Sequence, residues 1–434
     1  MSIRLSSSTG VAWYGPTLHL GGYGNATRAY LRTLLRLGLP VRAVSISGDH
    51  SALVDDGSID VVRALEHGDA GHRPIEIVHF DPGVCGTLGS LMPAARVCAT
   101  VFETMSIPPS WVRPLLDVDA VWVPTEFHRE TYARAGIPRD KIAVVPFAID
   151  TDFFSARAPA QNERFRFVYA SVWHPRKGVD VLLRAFIEEF SVDEPVELIV
   201  QASIPDKSGK EAQLEALARV EATIGAAVTS GGKRRVEIRT TPLKHSELPE
   251  LYASSDLYIS TDRNNIWTLP CPESLSMGRP CATTDYARAT GWLADDNPLL
   301  IRCNEELADS DDELLRLRPI YAGQKWATYS PSEVRRVMRW AFSHPADLAA
   351  LARSGREYVL KTHSIDAVAG ALERAIERLP LRHRVRVKPA VARALRIDAT
   401  QPPNTKPVFL VEALKPALTS LRGVVNGLRG RGEG

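Results

Sequence analysis

The sequence is poor in the features that mark a stapled, metal-built or membrane-embedded protein. Five cysteines are scattered through 434 residues (Cys85, Cys98, Cys271, Cys281 and Cys303), with no C-x-x-C pair. An odd, dispersed set argues against a disulfide framework or a thiolate zinc site and points to a reducing compartment. No apolar run approaches the roughly 18 residues needed to span a bilayer. Residues 1–8 lack the apolar stretch of a secretion signal. Net charge is scarce as well: Lys+Arg 53 against Asp+Glu 51 leaves +2, which argues against a whole-chain polyanion or nucleic-acid binder. The 11 histidines include no H-x-x-x-H pair, and no repeat of solenoid length recurs. At about 100–200 residues per domain, two to four domains of a cytoplasmic protein are expected, with an enzyme as the simplest class.

What is present is α/β alternation. Strands are expected at residues 11–14, 41–46, 75–80, 96–102, 120–124 and 142–145, with continuous apolar runs that suit strands buried on both faces. A glycine loop, Gly21-Gly22-Tyr23-Gly24, follows the first of these. A helix is expected from about Asn25, with Tyr30, Leu31, Leu34, Leu35 and Leu37 on one side and Gly38 as its cap. Residues 157–163 are polar and aperiodic, as befits a linker. The alternation then restarts, with strands at 165–171, 196–202, 236–240 and 257–260. Helices are expected at 179–189, from near Pro272, and over 332–379. Two α/β units in tandem place the natural ligand site in the cleft between them.

Three segments carry chemistry. The glycine loop lies between a strand and a helix, where backbone N–H groups can hold an anion, although glycines serve a plain tight turn equally well. No acidic residue closes the second strand, so a nicotinamide site is not supported. In the second unit, His174-Pro175-Arg176-Lys177-Gly178 runs into a helix. Two cations at a helix N-terminus oppose the macrodipole, and a bound diphosphate would remove that conflict. Residues 264–280 include Asn265, Leu269, Pro272, Glu273 and Gly278-Arg279-Pro280. There Glu273 opens a helix and could accept hydrogen bonds from a ribose diol, or simply cap the helix.

Taken in order, these residues resemble the retaining, nucleotide-sugar-dependent glycosyltransferases of group 1, which have the GT-B fold. The glycine loop, Val121-Trp122-Val123-Pro124-Thr125-Glu126-Phe127, Val144-Val145-Pro146-Phe147-Ala148-Ile149-Asp150 with Phe153, Arg176-Lys177-Gly178, and Leu269-Pro270 with Glu273 carry the likeness over about residues 10–380. The resemblance implies two Rossmann-like doubly wound domains facing a cleft: an acceptor domain at 1–155 and a donor domain at 156–360. A return helix at 361–380 and a basic amphipathic tail at 381–434 follow. It implies that Arg176 and Lys177 stabilise the leaving diphosphate in place of a metal, with no cofactor beyond the nucleotide-sugar co-substrate. Glu273 would hold the ribose and the loop at Leu243 the base. Gly22 and Gly24 would let the chain approach the diphosphate and acceptor. Leu269 joins the donor site, while His79 and Glu103 would face the cleft from strand ends.

The sequence departs from the pattern at three places. Asn265 stands where the first glutamate of the acidic pair is expected, which bears on sugar choice because an amide donates as well as accepts. Val172 occupies the place of an arginine, and Phe102, with Glu103 beside it, that of a histidine. A nucleotide-sugar epimerase and a non-catalytic donor- or partner-binding module remain as other readings. Asp117-Val118-Asp119 and Asp150-Thr151-Asp152 resemble D-x-D metal motifs but neighbour no nucleotide loop, so no metal is expected.

The small net charge averages two unlike parts. Residues 381–434 hold eleven cations against three acids, which leaves residues 1–380 with 42 cations and 48 acids, net −6. Val411, Leu414, Leu418, Leu421, Val425 and Leu428 form an apolar stripe in the tail. A basic amphipathic helix of this kind suits the anionic inner face of a membrane. It would equally suit packing on the body or on a second subunit, and Pro416, Gly423 and Gly427 weaken a long helix.

Overall fold

In the computed structural model the described residues are 10–46, 48–89, 92–158, 161–205, 207–225, 236–263, 268–286, 291–304, 308–309 and 312–381. Residues 10–381 lie within one compact unit that holds two α/β lobes. The tail expectation falls outside the described residues, as do Asn265 and Trp267.

The first lobe is built on β1 (Val11–Gly15), β2 (Val41–Ser45), β3 (Ile75–His79), β4 (Ala95–Ala99), β5 (Ala120–Val123) and β6 (Ile142–Val144). These pair in parallel in the order β2-β1-β3-β4-β5-β6. All four residues of β5 are buried, as its unbroken apolar run requires when helices cover both sheet faces. Helix α1 (Gly22–Arg36) starts three residues before the expected Asn25, because extended Gly21 (ψ 176°) already serves as its N-cap. Its Tyr30, Leu31 and Leu34 are buried, and Gly38 at φ 71° ends the segment.

The second lobe comprises β7 (Phe165–Val172), β8 (Val196–Ser203), β9 (Val236–Arg239), β10 (Leu257–Ile259), β11 (Cys281–Thr284) and β12 (Leu300–Ile301). Their order is β12-β11-β10-β7-β8-β9, again parallel. Both sheets reverse their direction of growth at the first strand, between β1 and β3 and between β7 and β10. In doubly wound sheets the ligand crevice opens beyond the strand ends at such a reversal.

The expected helical stretch 332–379 is three helices, Pro331–Ser343, Pro345–Thr362 and Ile365–Glu377. Pro345 at a first helical position and the break before Ser364, whose Oγ accepts from Ala367 N at 3.2 Å, force the divisions. The last helix returns to the first lobe. Arg36 Nε meets Asp366 at 2.7 Å, and Ile149 N donates to His363 O at 2.7 Å, tying the crossover to the helix start.

The helix Val179–Glu189 enters through Gly178, whose φ of 64° is left-handed. A Cβ there would run into the Tyr329 hydroxyl and the Thr261 carbonyl. We expect Gly178→Ala to lower stability by roughly 2–4 kcal/mol from left-handed strain plus overpacking. Urea unfolding would measure it, and a loss under about 0.5 kcal/mol would contradict the packing described.

Candidate active site

The segment after β7 is fixed before any ligand arrives. His174 Nδ1 accepts from Arg176 N at 3.2 Å, the Tyr169 hydroxyl donates to Lys177 O at 3.3 Å, and Thr261 Oγ1 donates to the same carbonyl at 3.1 Å. Arg263, just past β10, donates from its backbone N to Arg176 O at 2.8 Å and from Nε to Pro175 O at 3.0 Å. The Arg263 guanidinium also lies over the rings of Trp326 and Tyr329, at 5.4 and 5.9 Å. With its carbonyls held from behind, the loop presents two cations at the reversal point of the second sheet. The Arg176 side chain is 17% exposed and that of Lys177 18%.

Each cation faces a carboxylate. Lys177 Nζ lies 2.5 Å from Asp262 Oδ2, which comes from the end of β10 and is nearly buried. Burial pulls the Lys177 pKa down and Arg176 adds to this, with Asp262 opposing. Arg176 lies 3.6 Å from Glu103 Oε1, and Glu103 belongs to the first lobe. Burial works against charge on Arg176, but Glu103, Tyr321 and Asp262 together outweigh it and hold the guanidinium above its ordinary pKa. The Tyr321 hydroxyl donates to Glu103 Oε2 at 2.7 Å. Burial alone would raise the Glu103 carboxyl; Arg176, Tyr321 and Lys177 outweigh that and bring it below its usual range.

Glu273 sits in the first turn of the helix Pro270–Ser276, 3% exposed. The Tyr252 hydroxyl donates to its Oε2 at 2.8 Å. Burial pushes its pKa up, against that hydrogen bond and nearby His245. It lines an interlobe pocket with Arg28 and Arg32 of α1, Asp56, His245 and Leu269. His245 Nδ1 lies 3.0 Å from Asp56 Oδ2, and its ring stacks on Phe153 at 4.8 Å. Leu269 is the residue a Cβ on exposed Gly22 would meet, at an ordinary 3.7 Å, so the glycine loop faces the donor-side helix across the cleft. Leu243 packs half-buried beside this pocket's core, and Gln201 Nε2 fixes the preceding loop by donating to Thr241 O at 2.7 Å.

Two expectations need correction. His79 does not face the cleft. It is fully buried, its Nδ1 2.7 Å from Thr27 Oγ1, among the rings of Trp13, Tyr23, Tyr30 and Phe147 at 5.1–6.0 Å. Burial lowers its pKa to about 3, so it is neutral near pH 7. Strand β4 ends at Ala99, which carries Phe102 and Glu103 into a loop. Gly24 is buried for a local reason: a Cβ would collide with the His19 carbonyl, to which Arg28 also donates at 2.8 Å. Three of the four aspartates of the D-x-D segments have structural partners. Asp119 accepts from Arg96 N at 2.8 Å, Asp117 pairs with Arg113 at 3.0 Å, and Asp150 pairs with Arg32. Asp262, Tyr321, Tyr252 and His245 were not picked out from sequence. Of these, Asp262 lies just before the 264–280 segment and His245 just after the loop at Leu243.

The described geometry can now be set beside known proteins. Residues 164–316 match the family model for glycosyl transferases group 1. The second lobe is a group 1 glycosyltransferase domain. A glycosyltransferase from Rickettsia africae superposes with a TM-score of 0.59 at 14% identity, covering 86% of this chain and 99% of its own. Sucrose-phosphate synthase from Thermosynechococcus elongatus gives 0.60 at 13%, over 85% and 98%. HepE of Anabaena, in complex with UDP-glucose, gives 0.56 at 12%, over 85% and 99%. No curated protein matches by sequence. The two sheets are thus the GT-B fold, with the glycosyltransferase match lying in the second lobe.

In this domain the raised Glu273 pKa has a definite sign. A carboxyl held above its unfolded pKa contributes stability below about pH 4.3, and this is lost as pH rises through the folded value. Glu273→Gln keeps an acceptor for Tyr252 and removes the buried charge. Its stability advantage over wild type should grow from pH 4.5 to 7 in denaturant titrations. A gap independent of pH, or one that shrinks as pH rises, would contradict this.

Proposed function

We propose that this chain is a glycosyltransferase that moves a hexose-type sugar, with retention, from a nucleoside-diphosphate sugar to a hydroxyl acceptor on a glycan, lipid-linked or small molecule. One observation carries the reading. Arg176 and Lys177, both mostly buried, stand side by side on a braced loop where the donor-side sheet reverses. Each cation faces its own carboxylate, Glu103 or Asp262, whereas a diphosphate can engage both at once, through a guanidinium fork and an ammonium point charge. The UDP-glucose complex of the similarly folded HepE is consistent with a donor of this class.

On this reading the diphosphate rests against Arg176 and Lys177, and Glu273 accepts hydrogen bonds from the ribose. Leu243 and Leu269 border the nucleoside, Asn265 belongs to the sugar subsite, and Gly22 leaves room for the acceptor side. As the glycosidic bond lengthens, negative charge grows on the departing diphosphate, and the two cations stabilise it without moving. The departing phosphate oxygen takes the proton of the acceptor hydroxyl attacking from the same face, so no side chain need act as nucleophile. The two cations also supply the charge a metal would bring, so transfer should persist in EDTA.

Incubation with uridine, guanosine and adenosine diphosphate sugars tests the proposal: sugar transfer supports it, whereas an epimerised donor or binding without conversion overturns it. Lys177→Ala should lower turnover at saturating donor by roughly 10²–10³-fold, the scale for loss of one charge-stabilising group. Near-native turnover would remove Lys177 from the mechanism. We further assign residues 381–434 to an anionic membrane surface on the strength of their net +8 and apolar stripe. Full-length protein should float with anionic liposomes, and a chain ending at Leu381 should not. Equal flotation would refute this role.

A further inference from the structure

The proposed diphosphate subsite is met by charge from the opposite lobe. Glu103 reaches from the first lobe to within 3.6 Å of Arg176, on the loop that the proposed function gives to the donor. It is not a stray surface acid. The Tyr321 hydroxyl donates to its other oxygen at 2.7 Å, and Tyr321 stacks on Phe102 at 5.0 Å, with Trp111 edge-on to Phe102 at 4.9 Å. One to three residues farther on, the same two segments clasp again: Gln324 Oε1 accepts from Thr104 Oγ1 at 2.8 Å and from Ser106 Oγ at 2.6 Å. Residues 102–106 and 321–324 therefore form an interlobe clasp with one carboxylate aimed at the cations. Asp262 neutralises Lys177 from within the same lobe, so only the Arg176 pairing depends on the lobes being together.

We infer that Glu103 is a displaceable counter-anion, a positioning residue that holds Arg176 in place when no nucleotide is bound and competes with the diphosphate for it. The inference rests on the assignment of Arg176 and Lys177 to the donor. A guanidinium paired with a bidentate diphosphate has little to offer a carboxylate, and two anions close to one cation repel in a poorly hydrated site. Donor binding must first break the Glu103–Arg176 pair, which lowers apparent affinity by the fraction of sites in which that pair is made. After transfer the same carboxylate can reclaim Arg176 and help the nucleoside diphosphate to leave. The direction of the effect separates this role from a structural one. Removing an ordinary supporting residue weakens binding, whereas removing a competitor strengthens it.

The test is calorimetric titration of UDP, GDP and ADP into wild-type protein, Glu103→Gln and Tyr321→Phe. Glu103→Gln should bind whichever nucleotide wild type accepts about tenfold more tightly, a difference of about 1.4 kcal/mol. Tyr321→Phe frees the carboxylate without removing it and should tighten binding by a smaller factor, about two- to threefold. If wild type binds a nucleotide and neither variant binds it more tightly, the counter-anion role is wrong while the donor assignment stands. If Glu103→Gln does not fold, Tyr321→Phe decides by the same sign. If no nucleotide binds wild type or either variant at millimolar concentration, the donor assignment falls and the counter-anion role falls with it.

Discussion

Everything in the cleft depends on how the protein keeps two cations side by side out of bulk water. Arg176 and Lys177 share a turn whose carbonyls are engaged by Thr261, Tyr169 and Arg263, so backbone rather than side-chain flexibility sets their spacing. Burial lowers the Lys177 pKa, and the nearness of Arg176 adds to the cost. Asp262 and Glu103 answer that cost, one from each lobe. The arrangement is satisfied without a ligand and remains able to exchange one anion for another, as a site that must both bind and release a charged nucleotide requires.

The interlobe contacts fall into two groups around this centre. On one side Glu103, Thr104 and Ser106 meet Tyr321 and Gln324. On the other, Asp55 accepts from Ser246 N and Oγ at 2.9 and 2.8 Å while Asp56 approaches His245. Both groups combine polar contacts with ring stacking, of Tyr321 on Phe102 and of His245 on Phe153. The return helix Ile365–Glu377 and the crossover at Ile149 form a further connection.

Much of the framework was legible from local pattern alone. The expected strands of both lobes coincide with observed ones to within one to three residues, because runs buried on both faces advertise themselves by unbroken apolarity. The start of α1 was misplaced because glycine carries no periodic signal, and the divisions near residues 344 and 364 were hidden in a continuous helical pattern. His79 shows the limit for site residues. A histidine at a strand end reads the same whether it faces solvent or an aromatic enclosure, and only the packing of α1 over β3 buries it.

Local order along the chain determined that two parallel α/β units exist, that Arg176 and Lys177 end a strand and precede a helix, and that Glu273 opens another. Those are properties of neighbouring residues. The tertiary structure alone decided which acids the cations meet: Asp262 lies 85 residues from Lys177, and Tyr321 lies 218 from Glu103. Partnerships over such separations leave no trace in spacing or periodicity, because they arise where two sheets reverse direction and the loops beyond them converge.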